Sequence, residues 1–379
     1  WSAMATAGAQ WGCSWGLEVP LMFASPEFAE TPTLKRSNAF EIVAQECAAV
    51  REGVGLLDIS GFSRYEVSGP KAQDWLSRVM AGRLPAPGKA RLAPMLAPSG
   101  RLKGDLTLFN WGDGRWWIMG SYYLRSWHMR WFHDHRSDGV EIHDLSDAVF
   151  GFGLAGPKSR EVLAALTHQN VDDQALPFMG CATLDVGLIR ARIARLSVCG
   201  ELGYEINCGA AEHIALREML LQAGVDQGIC EFGFYAMNSL RLEKGFGIWS
   251  AEFTQDRTPG MTGMDRWIDW SRDDFIGHDA AAKERSGNHV QQHLVTLEID
   301  ADDADASGYE PIWQGDQRVG FVTSGGYGHH TGKSLAMGLL NTGADQSAEP
   351  LKVDVVGNRR GARTLSEPAW DPSGARMRL

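Results

Sequence analysis

The sequence has few cysteines, and their spacing does not suit a disulfide framework or a zinc site. Six cysteines occur in 379 residues, at positions 13, 47, 181, 199, 208 and 230, and no two of them form a CxxC pair. A chain of this length held together by disulfides would need more of them. We therefore interpret the cysteines as reduced thiols of the core.

Long apolar runs and a secretion signal are also missing. No apolar stretch approaches the ~18 to 20 residues that cross a bilayer, and the N-terminal stretch lacks the basic flank, apolar run and small-residue cleavage site of a signal peptide. The formal net charge of −11 repels phosphate backbones and anionic lipids. The sequence thus predicts a cytoplasmic protein that has neither nucleic acid nor membrane as its main partner.

Motifs for covalent, nucleotide or metal chemistry are weak. There is no GxSxG elbow, and no cysteine lies in an activating motif. Gly151, Gly153 and Gly156 form a literal GxGxxG, but no acidic residue closes a following strand as a dinucleotide fingerprint requires. The histidines at 133, 135 and 143 lie around a charged turn without ligands to complete a tetrahedron, so we favour a solvated loop over a metal site.

A repeated strand, Gly-Pro turn and helix is the most informative structural feature. RYEVSGPKAQDWLSRV begins at Arg64, and VFGFGLAGPKSREVL begins at Val149. The prolines suit the first helical position, where no intrahelical N–H bond is lost. With the hairpin segments RLKGDLTLFN and GRWWIMGS, the repeat predicts an α+β fold of two duplicated ferredoxin-like antiparallel sheets with helices on one face.

The chain is long enough for two or three domains. Its last part alternates apolar and polar residues between Gly, Asp and Asn turns, as in HLVTLEID, PIWQGDQRVGFVTSG, SLAMGLLN and LKVDVVGNRRGARTL. This pattern is typical of a small antiparallel barrel. We predict an N-terminal arm over 1–39, a core of two subdomains over 40–285 and a C-terminal β-barrel over 286–379, with the linker within 283–292.

Four segments carry the candidate site residues. PSGRLKGDLTLF places Asp105 at the start of a strand, and VCGELGYEINC sets Glu201 and Glu205 four residues apart on either side of Tyr204. MNSLRLEKGFGIW predicts a helix containing Arg241 that ends at the following glycine, and GFVTSGGYG predicts a glycine-rich turn with Ser324 and Tyr327.

Together these segments resemble the folate-binding aminomethyltransferase (glycine cleavage T-protein) family. ECAAVREGVGLLDIS, VSGPKAQDWL, SGRLKGDLTL, VCGELGYEI, LRLEKG, DFIG and GFVTSGGYG follow the family's motifs in the same order over nearly the whole chain. The opening GAQWGCSWGLEVPLMFA, followed by LKRSNAF, is similar to the segment that joins flavin and folate domains in dimethylglycine and sarcosine dehydrogenases. The resemblance thus favours that branch of the family.

The resemblance implies a three-domain cloverleaf with tetrahydrofolate in a central channel. It implies that Asp105 is catalytic, near the reactive folate nitrogens, and that Glu205 pairs with the N–H edge of the pterin. A carboxylate suits that edge because two parallel donors match its two oxygens. Glu201, Tyr204, Arg241 and Tyr327 are the further candidate cofactor-binding residues, and no metal is expected.

The implied function is tetrahydrofolate-dependent capture of the carbon released from an N-methylated glycine-type amine, as 5,10-methylenetetrahydrofolate. The chain lacks a flavin fingerprint, so the implied partner is a flavin oxidase domain or subunit. Two alternatives stay open: an O- or S-demethylase that gives 5-methyltetrahydrofolate, and a folate-binding module without catalysis. The chain has Met261 where the family usually has a glutamate, Met237 and Asn238 where many members carry a basic residue, and Val198 where a tyrosine is usual.

Overall fold

A computed structural model describes residues 1–14, 16–287 and 290–379. The helices are α1 (Ser2–Thr6), α2 (Phe40–Glu52), α3 (Ala72–Val79), α4 (Arg125–Asp134), α5 (Ser159–Leu166), α6 (His213–Ala223), α7 (Phe234–Glu243), α8 (Pro259–Thr262) and α9 (His278–Gly287). The strands are β1 (Ala9–Ser14), β2 (Leu17–Phe23), β3 (Gly55–Asp58), β4 (Phe62–Ser68), β5 (Lys89–Leu96), β6 (Leu102–Asn110), β7 (Trp116–Ser121), β8 (Glu141–Asp144), β9 (Val149–Ala155), β10 (Cys181–Val186), β11 (Ile189–Ala194), β12 (Gly203–Gly209), β13 (Cys230–Glu231), β14 (Gln292–Ile299), β15 (Pro311–Gln314), β16 (Gln317–Gly328), β17 (Lys333–Asn341), β18 (Leu351–Val355) and β19 (Asn358–Leu365).

Two sheets form the centre of the fold. The first sheet has the strand order β5-β6-β7-β4-β8, and the second has the order β10-β11-β12-β9-β3-β13. All strand pairs in them are antiparallel except β13 with β3. The mixed α+β fold with ferredoxin-like sheets is therefore confirmed.

Each sheet buries one face under its own helices. Trp75, Leu76 and Val79 of α3 pack with Leu106 and Leu108 of the first sheet. Because side chains alternate along a strand, the remaining residues of these strands point to the opposite faces. Those opposite faces meet, since another buried cluster joins Phe109, Trp117 and Met119 of the first sheet to Ala194 of the second.

The predicted repeat is present. β4 and β9 each lead through a Gly-Pro pair into a helix, at Gly69 and Gly156, which have φ of 104° and 131°. A side chain at either glycine would meet a backbone oxygen at 2.4 Å, so the turn requires glycine twice. The two helices begin at Ala72 and Ser159, two residues beyond the prolines that we expected in the first helical position.

The C-terminal strands form a closed barrel of six strands in the order β14-β17-β16-β15-β18-β19, as the alternating pattern predicts. The predicted glycine-rich turn at GFVTSGGYG is wrong, because these residues lie within the twelve-residue strand β16. A Cβ at Gly325 would stand 2.2 Å from Ala306 O, so glycine here permits close approach of another backbone and does not mark a turn.

The opening stretch, which we predict as an arm, contains regular secondary structure. It forms the short helix α1 and the hairpin of β1 and β2, with a bulge between Gln10 and Trp11. The bulge interrupts the alternation of side chains, which explains why the sequence shows no sustained period there. The predicted domain limits stay predictions: α9 extends to Gly287, β14 begins at Gln292, and positions 288 and 289 of the proposed linker lie outside the described residues.

Candidate active site

Asp105 lies on β6, on the face of the first sheet that is turned to the second sheet. Its neighbour Leu106 points the other way, into the helix-covered core, and Pro94 of β5 is its cross-strand partner. Burial raises the pKa of the Asp105 carboxyl to about 7, and the nearby carboxylate of Glu252 adds to this rise. Near neutral pH this group can therefore exist in both protonation states, as proton relay requires.

Glu205 lies on β12, on the corresponding inner face of the second sheet. It is paired across the sheet with Ala194 and with Gly153, which has no side chain. Glu205 Oε2 is buried and has no hydrogen-bond partner among the described residues. Burial raises the pKa of Glu205 to about 7, against the opposing charge of Arg64. A buried carboxylate oxygen without a donor is costly, so this position is suited to a ligand that brings N–H groups.

Arg64 joins the two sheets beside Glu205. Its guanidinium donates from Nε to Asn207 Oδ1 at 2.8 Å, from Nη1 to Phe62 O at 2.9 Å and from Nη2 to Ile59 O at 3.0 Å. The side chain is completely buried. Because these donors are committed to other acceptors, Arg64 acts on Glu205 through charge and leaves its carboxylate available.

Glu201 is engaged in a separate buried network, and its predicted cofactor contact stays a prediction. The side chain is fully buried and accepts from Arg51 Nη1 at 3.1 Å, Trp370 Nε1 at 2.9 Å and Arg376 Nε at 2.8 Å. Arg51 also donates to Glu243 at 2.6 Å. The acids and the arginine of three family motifs thus bind one another.

This network predicts a stability effect for Glu201→Leu. The substitution leaves the charges of Arg51 and Arg376 short of an acceptor, and breaking a buried ion pair in this way costs about 3–5 kcal/mol. We expect the urea midpoint to fall accordingly, while the tetrahydrofolate affinity of the folded variant stays near wild type. The matched control is Glu52→Leu, at an exposed glutamate of α2. Loss of folate affinity with unchanged stability would contradict this assignment.

Tyr204 and Tyr327 have partners within the protein, and the predicted cofactor contact of either residue stays a prediction. Tyr204 alternates with Glu205 along β12, so it points into the helix-covered core, where it is fully buried and its hydroxyl accepts from Arg160 Nε at 3.1 Å. The ring of Tyr327 is covered by the guanidinium of Arg36, 4.2 Å from its centroid, and by Phe40 at 5.0 Å. These two tyrosines hold elements together.

Arg241 is also engaged within the protein. It lies on α7, which ends at Glu243, and donates to Asn238 Oδ1 from Nε at 3.0 Å and from Nη2 at 2.7 Å. Its Nη1 lies 3.4 Å from Glu252 Oε2. The side chain is buried and supports Glu252, and its predicted direct contact with a cofactor stays a prediction.

The structure adds two groups that sequence reasoning missed, Arg64 and Glu252. Arg64 is the first residue of the repeated segment, and Glu252 follows the glycine- and aromatic-rich GFGIWS, but neither lies in a spacing that signals a site. The family departures Val198 and Met237 pack in one apolar cluster with Leu57, the cross-strand neighbour of Gly153.

Other features lie apart from the two acids. A groove of about 650 Å³ lies at the outer edge of the sheets and is lined by residues that include Trp111, Asp113 and Arg192, but by neither Asp105 nor Glu205. In the described ranges no three His, Cys, Asp or Glu side chains are grouped so as to hold a metal ion. None of the helices in the described parts of the chain is long and apolar enough to cross a membrane.

Family models match both parts of this fold. The GCVT N-terminal domain matches residues 1–272, and the glycine cleavage T-protein C-terminal barrel domain matches residues 292–371. The chain therefore belongs to the glycine cleavage T-protein family of folate-binding aminomethyltransferases. The predicted family is confirmed.

Individual relatives refine this picture. The chain is 31% identical over 370 residues to the mitochondrial dimethylglycine dehydrogenase of Mus musculus. This match covers 96% of the chain but only 42% of that dehydrogenase. The chain is 28% identical over 334 residues to the aminomethyltransferase of Bacillus subtilis, and this match covers 87% of the chain and 91% of that protein. The crystal structure of aminomethyltransferase T of the Bartonella henselae glycine cleavage system superposes with a TM-score of 0.84 at 23% identity, over 98% and 97% of the chains. This last likeness supports the fold.

Proposed function

We propose that the protein transfers a one-carbon unit to tetrahydrofolate, capturing the carbon released on demethylation of an N-methylated glycine-type amine as 5,10-methylenetetrahydrofolate. The observation that carries this proposal is the unpartnered, buried Oε2 of Glu205 on a sheet face that opposes the face of Asp105. Family membership supplies the reaction class, and these two carboxylates supply the chemistry.

The residues around Glu205 fit a pterin. An ionised carboxylate accepts two parallel N–H donors, and such charge-assisted pairs are among the stronger hydrogen bonds. Gly153 next to Glu205 leaves space on the sheet face, and the apolar side chains of Leu57, Val198 and Met237 offer contact area for a flat ring. Glu205 would therefore hold the ring edge, with Arg64 favouring its ionised form.

Asp105 would act on the reacting carbon. When bound, tetrahydrofolate supplies the nucleophilic nitrogens that take up the carbon. The ionised Asp105 carboxylate stabilises positive charge that develops on an iminium-like donor, and it can then carry a proton, because its pKa lies near 7. Alignment of the two reactants by a fixed site can lower the barrier by about 7 kcal/mol or more.

The donor and its supply are part of the proposal. The chain spans 42% of the length of the mouse dimethylglycine dehydrogenase, so the oxidative half of such a reaction would come from a flavin oxidase domain or subunit. That oxidation produces a carbon at the formaldehyde level. Capture by folate would prevent its release as formaldehyde.

The test is titration with tetrahydrofolate, followed by addition of formaldehyde and mass analysis of the folate. We expect saturable binding and formation of 5,10-methylenetetrahydrofolate faster than in a protein-free mixture of the same reagents. Absence of binding would refute the proposal. Binding without acceleration would identify a non-catalytic folate module, and 5-methyltetrahydrofolate formed from a methoxy or sulfonium donor would identify a demethylase of that type.

A further inference from the structure

The three glycines of the GxGxxG segment lie in or just after β9, and the packing of the protein explains two of them. A Cβ at Gly151 would stand 2.6 Å from Ile206 O and 2.9 Å from Asn207 Oδ1. Gly156 has φ of 131° and lies in the Gly-Pro turn, where a Cβ would meet Gly53 O at 2.4 Å. Close approach of another part of the backbone therefore requires glycine at both positions.

The packing of the protein does not explain Gly153. Among the described residues, the nearest atoms to a Cβ there would be Ile59 Cγ2 at 3.5 Å and Leu57 Cβ at 3.8 Å, which are ordinary van der Waals distances. A glycine inside a strand lowers stability relative to alanine, and it often marks a place where a ligand or another backbone approaches closely. Since the described part of the protein leaves room for a side chain at Gly153, a ligand is the remaining reason for this glycine.

Gly153 lies on the same face of the sheet as Glu205. It is the cross-strand neighbour of Glu205 on one side and of Leu57 on the other, and cross-strand neighbours share a face. Phe152 and Leu154, which precede and follow it, are fully buried in the cluster on the helix-covered face. Gly153 itself is partly exposed, although strands flank β9 on both sides. The exposed surface of Gly153 therefore belongs to the face that carries Glu205.

The carboxylate beside this glycine lacks a partner, which is a second and independent sign of a ligand. Glu205 Oε2 is buried and accepts no hydrogen bond from the described residues. A flat ring whose edge bonds to this carboxylate can lie over the neighbouring strand, above Gly153. The bare backbone of Gly153 permits close approach of such a ring, whereas a methyl group would push the ring out of line with the carboxylate and weaken the hydrogen bonds.

We propose that Gly153 is a specificity-determining residue: one face of a flat ring rests on its bare backbone while Glu205 holds the ring edge, so the missing side chain sets the thickness of the ligand that the site admits. The inference rests on the proposed function, which identifies the ring as that of a reduced pterin. It gives β9 a part in ligand selection in addition to its part in the sheet.

The experiment compares ligand affinity with stability in Gly153→Ala, in the full chain. We expect the Kd for tetrahydrofolate to rise by about tenfold or more, because the methyl group occupies space that the ring needs. The urea midpoint should stay the same or rise, because the alanine side chain has room beside Ile59 and Leu57 and alanine restricts the unfolded chain more than glycine does. A merely structural role of Gly153 would lower stability and affinity together.

Two other glycines provide the comparison. Gly151→Ala should lower the urea midpoint, because its methyl group would meet Ile206 O. Gly361→Ala is the matched control, since this glycine also lies within a strand, β19 of the barrel, and the nearest described atom to a Cβ there would be Asp300 Cβ at 3.9 Å. Gly361→Ala should be as stable as wild type or more stable, and it should keep the wild-type Kd.

A second measurement detects the contact in the wild-type protein and needs no substitution at Gly153. The amide signals of Gly153 and Gly361 are followed by NMR in 15N-glycine-labelled protein during titration with tetrahydrofolate. We expect the Gly153 signal to shift saturably, with the same Kd as the binding titration, because the ring lies directly on this part of the backbone. The Gly361 signal should stay in place.

The outcomes separate the two proposals. An unchanged Kd in the folded Gly153→Ala protein, an equal rise in Gly361→Ala, or a Gly153 signal that does not move on binding would overturn the role of Gly153 and leave the proposed function intact. A fall in affinity with a parallel fall in stability would assign Gly153 to the fold and also overturn its role in selection. Failure of the wild-type protein to bind tetrahydrofolate would refute the proposed function, and the role of Gly153 with it.

Discussion

Replacing Asp105 by asparagine is expected to lower kcat for carbon transfer by about 100- to 10,000-fold while changing the Kd for tetrahydrofolate by about threefold or less. Asparagine has nearly the same shape and keeps the packing beside Pro94. It carries no charge to stabilise a cationic carbon and cannot take up a proton. A loss confined to kcat is the signature of an interaction made in the transition state.

The pH dependence makes this expectation sharper. The pKa of Asp105 is raised to about 7, so the ionised fraction grows as the pH rises through 7. If the carboxylate form stabilises the transition state, kcat at saturating folate should rise through this range and level off above about pH 8. The rise should be absent in Asp105→Asn.

Stopped-flow or quench measurements of folate product at several pH values would provide both quantities. Asp74→Asn, at an exposed aspartate of α3 in the same subdomain, is the matched control and should retain the wild-type profile. Equal kcat values for wild type and Asp105→Asn would exclude a catalytic role for Asp105.

The fold could be predicted largely because its signals are local. The repeated Gly-Pro turns at Gly69 and Gly156 are required by close backbone approach, and the alternation in the last part of the chain reflects the two faces of a barrel wall. The hairpin of β1 and β2 is not predictable from the alternation of residues, because a bulge at Gln10 and Trp11 disturbs it. Regular elements are thus visible in the sequence to the extent that their periods are unbroken.

The residues of the candidate site also differ in how far their surroundings could be predicted from the sequence. That Tyr204 and Glu205 lie on opposite faces follows from the twofold period of a strand, so this part of the arrangement is predictable from the sequence. The partners of Glu201 were not foreseeable, because Arg51 and Arg376 lie 150 and 175 residues away along the chain. Motif similarity alone does not distinguish an acid that binds a ligand from an acid that holds the fold.

Glu205→Gln is expected to weaken tetrahydrofolate binding by about 30- to 1,000-fold, equivalent to roughly 2–4 kcal/mol. Glutamine retains one acceptor, but its amide group faces the second donor of the ring edge and the charge is lost. The Kd from fluorescence or calorimetric titration measures the effect. Glu218→Gln, at an exposed glutamate of α6, is the control and should bind as wild type does.

The sign of the pH effect on binding follows from the raised pKa of Glu205. Burial raises this pKa to about 7, and the ring edge offers donors that favour the ionised carboxylate. Affinity should therefore be full above pH 7 and should fall as the pH decreases, by up to about tenfold per unit well below 7. Binding in that range should release close to one proton, visible as a buffer-dependent heat. A Kd that does not change between pH 5.5 and about 8, or the same pH dependence in Glu205→Gln, would show that the ring edge is not held by this carboxylate.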